Sequence, residues 1–167
     1  NFSQNHRTGR HEHAICGKAT SAGLCPFNGA SPRGSTNPYK EALLAAQHGA
    51  TAMHDPTEGG VAMGLYELAV ASGLGMQIEL DKIPTLPSTT SICHHFGINP
   101  LGLISSGTLL LTIPSDKWQD LEKVLQTECI PSKVIGTISK APGIQARLNG
   151  KPVPFVYSET DELVKVL

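Results

Sequence analysis

One stretch constrains the fold more than any other: Ala50-Thr51-Ala52-Met53-His54-Asp55-Pro56-Thr57-Glu58-Gly59-Gly60-Val61-Ala62-Met63-Gly64-Leu65-Tyr66-Glu67-Leu68-Ala69. Its first five residues are apolar or tolerated in strands, Pro56 and Gly59-Gly60 break the extended run, and Leu65, Leu68 and Ala69 recur at helical spacing. Strand, polar glycine loop and helix therefore follow in direct succession. An anion can sit at such a junction, because a helix N-terminus exposes N–H groups and partial positive charge, and glycines let a phosphate approach the backbone. His54, Asp55, Thr57, Gly59 and Gly60 lie at the end of the strand, where open α/β sheets hold ligands. The same residues also read as a plain turn in which Asp55 or Thr57 caps the helix and the glycines permit tight packing. Taken alone, they leave both readings open. Glu58 would oppose an anion unless a divalent metal bridged the two.

Around this stretch, helix and strand signals alternate. Asn37 as cap and Pro38 at the first helical position predict a helix over 37–47, stopped by Gly49. After the central helix ends near Ser72-Gly73, residues 76–80 alternate as a half-buried strand, and 88–96 form a short helix stopped by Gly97. Asn99-Pro100 forces a turn. Ser105-Ser106-Gly107 makes a second small polar loop beside the apolar run 108–113, a candidate central strand. Ser115 is expected to cap a helix whose apolar face is Trp118, Leu121, Val124 and Leu125. Strands are then predicted over 134–138 and 144–148, with a turn at Pro142-Gly143 and a hairpin turn at Asn149-Gly150. The return strand, carrying Pro152 and Pro154, belongs at a sheet edge. Ser158 and Asp161 resemble a capping box for a last helix over 159–166. The pattern predicts an α+β protein of α/β/α layers, with helices packed on a mixed sheet.

Residues 1–36 differ from the rest. They carry His6, His11, His13, Arg7, Arg10 and Arg33 among glycines and serines, with no periodicity, and are expected to be an irregular tract or an expression remnant. The histidines make a poor metal-ligand set, so no metal site is predicted. Residues 37–167 are the expected domain. Its 40% hydrophobic content suffices for a core, and 13 Lys+Arg against 14 Asp+Glu give no reason to expect nucleic acid or an anionic membrane as partner. No apolar run reaches membrane-spanning length and no signal segment opens the chain, so the cytoplasm is the expected location. Cys16, Cys25, Cys93 and Cys129 share no C-x-x-C spacing and are expected as reduced thiols. Cys93-His94-His95 points in different directions on a helix, which favours a packed thiol and a partly exposed histidine pair over a shared site. Beginning at Asn1 rather than Met suggests a fragment.

Residues 54–60, Leu65-x-Glu67-Leu68-Ala69, Ala71-Ser72-Gly73, Ile83-Pro84, residues 96–101, Ser105-Ser106-Gly107 and Ile135-Gly136 together resemble the C-terminal domain of the aminoimidazole ribonucleotide (AIR) synthetase family. The similarity is strongest to the branch of hydrogenase maturation (carbamoyl dehydratase), selenophosphate synthetase and thiamine monophosphate kinase proteins. It implies a domain partly like the ferredoxin fold. It also implies that His54, Asp55, Thr57, Gly59, Gly60, Ser105, Ser106 and Gly107 line a nucleotide or phosphate cleft shared with an N-terminal domain that supplies the ligands for ATP and Mg2+. Shared family chemistry is ATP-dependent activation of an oxygen or transfer of phosphate.

No counterpart of that N-terminal domain is seen here, and residues 161–167 lack the terminal cysteine that carries the carbamoyl group in the maturation factor. The expectation is a nucleotide- or phosphate-binding domain that does not turn over ATP alone and shows no maturation activity. Expected partners are a homo-oligomer or an N-terminal AIR synthetase-type domain. The alternative is a non-catalytic assembly module with a structural glycine loop. The exposed proline-bearing edge adds an expectation of self-association.

Overall fold

The computed structural model describes residues 12–18, as backbone, and residues 39–167. In order these form β1 (Glu12–Lys18), α1 (Tyr39–Gln47), β2 (Ala52–His54), α2 (Gly60–Ser72), β3 (Gly75–Glu79), α3 (Pro87–Phe96), β4 (Thr108–Pro114), α4 (Ser115–Thr127), β5 (Ser132–Ser139), β6 (Gly143–Leu148) and β7 (Lys151–Val153). Short 3-10 turns occupy Leu80–Lys82, Pro100–Gly102 and Glu162–Lys165. The seven strands make one sheet in the order β2-β4-β1-β5-β3-β6-β7. β3 and β6 run parallel and the other neighbours antiparallel, so the sheet is mixed as the alternation predicts.

The apolar run in β4 explains the layering. Alternate side chains of a strand point to opposite faces, so a strand covered on both sides must be apolar at every position. Leu109, Leu111 and Ile113 pack with Ala45 of α1 and with Leu121 and Leu125 of α4. Leu110 packs on the other face with Val61, Leu65 and Ala69 of α2 and with Met76, Ile78 and Ile135. Each buried Val, Leu, Ile or Met among these contributes about 1.5–3 kcal/mol. Helix–sheet–helix layers follow from this one strand. The face of α4 is the predicted one, with Leu121 and Leu125 buried and Trp118 packed against the same cluster.

Local stop signals act where the residues place them. Gly73 and Gly97 end α2 and α3 in left-handed conformation. Asn149 (φ 51°) and Gly150 (φ 74°) form a two-residue turn that closes Leu148 onto Lys151, and both positive angles are what a twisted hairpin requires. β7, with Pro152, lies at the sheet edge.

Six expectations need correction or fall elsewhere. Within the tract read as irregular, residues 12–18 form β1, paired antiparallel with both β4 and β5 in mid-sheet. Ladder pairing supplied by two flanking strands overrides a weak local pattern there. Ser115 is the first residue of α4 and Pro114 holds the cap position, because β4 runs into the helix with no intervening loop. The last helix is only the 3-10 turn Glu162–Lys165, capped by Asp161, whose carboxylate accepts the Leu163 N–H; the Ser158 hydroxyl instead accepts the N–H of Thr160. Cys129 is disulfide-bonded, whereas Cys93 is a buried free thiol; disulfides depend on spatial approach, which sequence spacing does not report. The predicted cap residues Asn37 and Pro38, and His6 and His11, lie outside the described residues. Between the predicted strands flanking Pro142-Gly143, β3 is inserted, so β5 and β6 straddle it rather than pair.

Candidate functional site

β2 delivers its last residue, His54, to the start of the glycine loop. There its Nε2 lies 2.7 Å from Glu67 Oε2 on α2, which fixes the imidazole against the helix. Asp55, Thr57 and Glu58 are exposed, while Pro56, Gly59 and Gly60 are buried. Neither Asp55 nor Thr57 caps α2 with its side chain: the cap residue is Gly59, left-handed at φ 70°, which has no side chain to make a cap bond. The turn closes through main chain, with Gly60 N–H donating to Thr57 O at 3.1 Å.

An acidic group already stands at this loop. The N–H of Gly59 donates to Asp161 Oδ2 at 3.2 Å, while Asp161 Oδ1 accepts the Leu163 N–H at 2.9 Å. Next to it Glu162 is 5% exposed; its Oε2 accepts the Asn99 N–H at 3.2 Å, and Oε1 pairs with Lys165 Nζ at 2.5 Å. The Lys165 ammonium, with help from the Asn99 N–H, holds the Glu162 carboxyl below the usual range although burial opposes this. Sequence reading gave Asp161 a capping role and gave Glu162 none. Their contacts with Gly59 and Asn99 span more than sixty residues and leave no local signal.

The two polar loops meet. Ser105 N–H donates to Thr57 O at 3.3 Å, so one carbonyl joins both predicted segments. Ser105 Oγ donates to Leu103 O at 2.9 Å, Ser106 is exposed, and Gly107 is buried at φ 83°. Close approach explains Gly60: a Cβ there would lie 2.3 Å from Leu103 O and 2.5 Å from Leu101 O. A cleft of about 290 Å³ opens beside the junction, and Ser105, Ser106, Val61 and Leu163 are among its walls. His54, Asp55, Thr57, Gly59, Gly60 and Gly107 do not line that cleft. The predicted set thus divides between the 54–60 loop and the 105–107 loop, and only Ser105 and Ser106 wall the neighbouring hollow.

Other candidates keep their structural reading. Burial, and secondarily the Glu162 charge, push the Cys93 thiol pKa up, while His94 and His95 are exposed and His95 meets the Phe96 ring edge-on. A second hollow of about 360 Å³, unforeseen from sequence, lies beside stacked Tyr66 and Tyr157, whose ring centroids are 4.0 Å apart. Among the described residues no helix is long and apolar enough to cross a membrane.

Residues 30–149 match the family model described as AIR synthase related protein, C-terminal domain. Carbamoyl dehydratase HypE of Rhodobacter capsulatus is 36% identical over 72 residues, covering 43% of this chain and 21% of that protein. The crystal structure of Escherichia coli HypE, a hydrogenase maturation protein, superimposes with a TM-score of 0.73 at 19% identity, over 96% of this chain and 54% of that one. A HypE solved in complex with ATP gives a TM-score of 0.71 at 21% identity, over 92% and 52% of the two chains. The chain therefore spans about a fifth of that curated relative and about half of the solved HypE chains.

Proposed function

The chain belongs to the AIR synthase related family as its C-terminal domain, and we propose that it contributes the 54–60 loop to a cleft for a nucleotide or phosphate substrate. One observation carries the reading: the Gly59 N–H already holds an anionic oxygen, the Asp161 carboxylate, at 3.2 Å. A phosphate oxygen has the same charge sign and acceptor capacity. His54, Asp55, Thr57 and Gly60 surround that donor in sequence, and Ser105, Ser106 and Gly107 form the adjoining loop joined through Thr57 O.

The solved HypE with ATP supports ATP as the nucleotide. In this reading the remaining half of the cleft, with the Mg2+ ligands, comes from an N-terminal AIR synthetase-type domain. Among the described residues no three His, Cys, Asp or Glu side chains are grouped to hold a metal ion. The chain by itself would then bind without turning over ATP. Backbone donors here hold and orient anionic oxygens, and Mg2+ when bound would supply further charge neutralisation.

A second reading, an assembly module with a structural loop, is favoured by the tight fit at Gly60, which packing alone requires. Titration with ADP while recording backbone amide signals separates the two. Shifts at Thr57, Gly59 and Gly60 at millimolar ADP are expected, and their absence supports the module. Steady ATP hydrolysis by the purified chain, abolished by Asp55→Ala, would overturn the claim that it does not turn over ATP alone.

A further inference from the structure

Among the described strands, β1 alone precedes α1 in the chain, and it stands between β4 and β5 in mid-sheet. The other neighbour of β4 is β2, and that of β5 is β3. Withdrawing β1 would therefore divide the ladder into β2-β4 and β5-β3-β6-β7, and leave two inner strand edges with unpaired backbone groups. That division runs through the candidate site. Both polar loops adjoin the β2-β4 part, whereas Asp161, the acceptor for the Gly59 N–H, lies beyond β7. Yet the sequence of β1 gives it little purchase: Ile15 is its one large apolar residue, against four in β4.

A covalent tie supplies a further hold. Cys129 is disulfide-bonded and Cys93 is free, so of the four cysteines its partner is Cys16 or Cys25, and both precede α1. Either bond links the segment that carries β1 to the turn between α4 and β5. The backbone at Cys129 favours a role for its sulfur. α4 closes with Ile130 N–H donating to Leu125 O at 2.8 Å and Cys129 N–H donating to Gln126 O at 3.0 Å. Such an ending places one residue in left-handed conformation, usually glycine, as at Gly73 and Gly97; here it is Cys129, at φ 58°. Glycine would adopt that angle with less strain, so the bond is what the cysteine adds. Cys129 is also exposed, which opens the bond to attack by a thiolate. We propose that the Cys129 disulfide is a redox latch on β1: oxidised, it locks the strand between β4 and β5, and reduced, it lets the strand leave and the sheet part. A dithiol reductant supplies both electrons. One of its thiolates attacks the bond and forms a mixed disulfide, its second thiol then displaces the protein sulfur, and the reductant leaves as a cyclic disulfide; its two thiol protons end on the two protein thiols.

Hydrogen exchange read by mass spectrometry, on the whole chain with and without dithiothreitol, follows the latch strand by strand. The bond closes a loop of more than a hundred residues, so reduction should speed exchange by roughly tenfold or more in peptides covering 12–18 and in the β4 and β5 residues paired with them. Peptides covering 143–153, whose strands do not pair with β1, should be unchanged, and reoxidation should restore protection. Cys129→Gly removes the sulfur while easing the left-handed turn, so fast β1 exchange in that variant, indifferent to dithiothreitol, would come from the lost bond and not from strain. Equal acceleration in every peptide would show an ordinary staple of global stability and overturn the latch. Exchange in β1 that ignores reduction would overturn it too, as would a peptide map of the unreduced chain in which Cys129 is a free thiol.

Discussion

Replacing Gly60 with alanine separates backbone strain from crowding, because Gly73 provides a matched control at the other end of the same helix. Gly60 has φ +64° and Gly73 has φ +65°, so an alanine at either position meets the same left-handed penalty, about 1–2 kcal/mol. Only the space differs. At Gly73 nothing lies within 4 Å of the added Cβ, whereas at Gly60 it meets two backbone carbonyl oxygens at 2.3 and 2.5 Å. Those oxygens belong to the Pro100–Gly102 turn and the residue after it, and they cannot retreat without moving main chain. Overpacking of this kind adds about 1–3 kcal/mol. Gly60→Ala should therefore cost roughly 2–5 kcal/mol and Gly73→Ala about 1–2 kcal/mol. With a urea slope of about 2 kcal/mol/M, the midpoint falls by roughly 1–2.5 M in the first variant and 0.5–1 M in the second. Equal losses would refute the contact argument. Asp55→Ala, at an exposed position, should stay within about 0.5 kcal/mol of the parent, so a ligand defect there would report on binding alone.

Four further outcomes follow. Asp161→Ala removes the acceptor for both Gly59 and Leu163, costs roughly 1–2 kcal/mol and accelerates hydrogen exchange at those two amides; unchanged exchange would show the contact to be incidental. The folded pKa of Glu162 is lowered, so its stabilisation is fully present above the unfolded value of about 4.5 and is lost as pH falls through the folded value. Thermal unfolding should lose stability below about pH 4.5, and Glu162→Gln should flatten that loss; an identical acid profile in the variant would contradict it. Cys93, buried and with a raised pKa, should resist alkylation at pH 8 until the chain unfolds, and rapid native labelling found by mass spectrometry would exclude the burial described. Self-association through the β7 edge should appear in sedimentation at high concentration, and a monomer throughout would count against it.

What the sequence showed most clearly were features set by neighbours in the chain. Gly73 and Gly97 stop helices, and Asn149-Gly150 turns a hairpin, because each answers a requirement for positive φ that a few adjacent residues create. The period of 108–113 likewise announced a strand buried on both faces. β1 was missed because its place in mid-sheet depends on β4 and β5, ninety or more residues away. The site divides in the same way. Thr57 and Ser105 were both found as loop residues, yet nothing local says that one carbonyl joins them. Asp161 was assigned to a cap and does serve one, but its second oxygen reaches Gly59 across the fold.

That second oxygen bears on how an anion could bind. Asp55 and Glu58 belong to the glycine loop and Asp161 accepts its Gly59 N–H, so the loop already carries carboxylates where an anion would bind. A phosphate arriving alone must either displace Asp161 from Gly59 or share the loop with it, and like charges at such range repel. Backbone N–H groups and a helix dipole worth about 1 kcal/mol or less at an exposed end offset only part of that repulsion. In the proposed cleft, countercharge from outside the described residues, either a divalent cation carried with the nucleotide or basic groups of the adjoining domain, would therefore tighten binding. The affinity of the chain for ADP should accordingly rise on adding Mg2+. If Mg2+ leaves it unchanged while Asp161→Asn raises it, displacement of the internal carboxylate governs binding, and the countercharge argument fails.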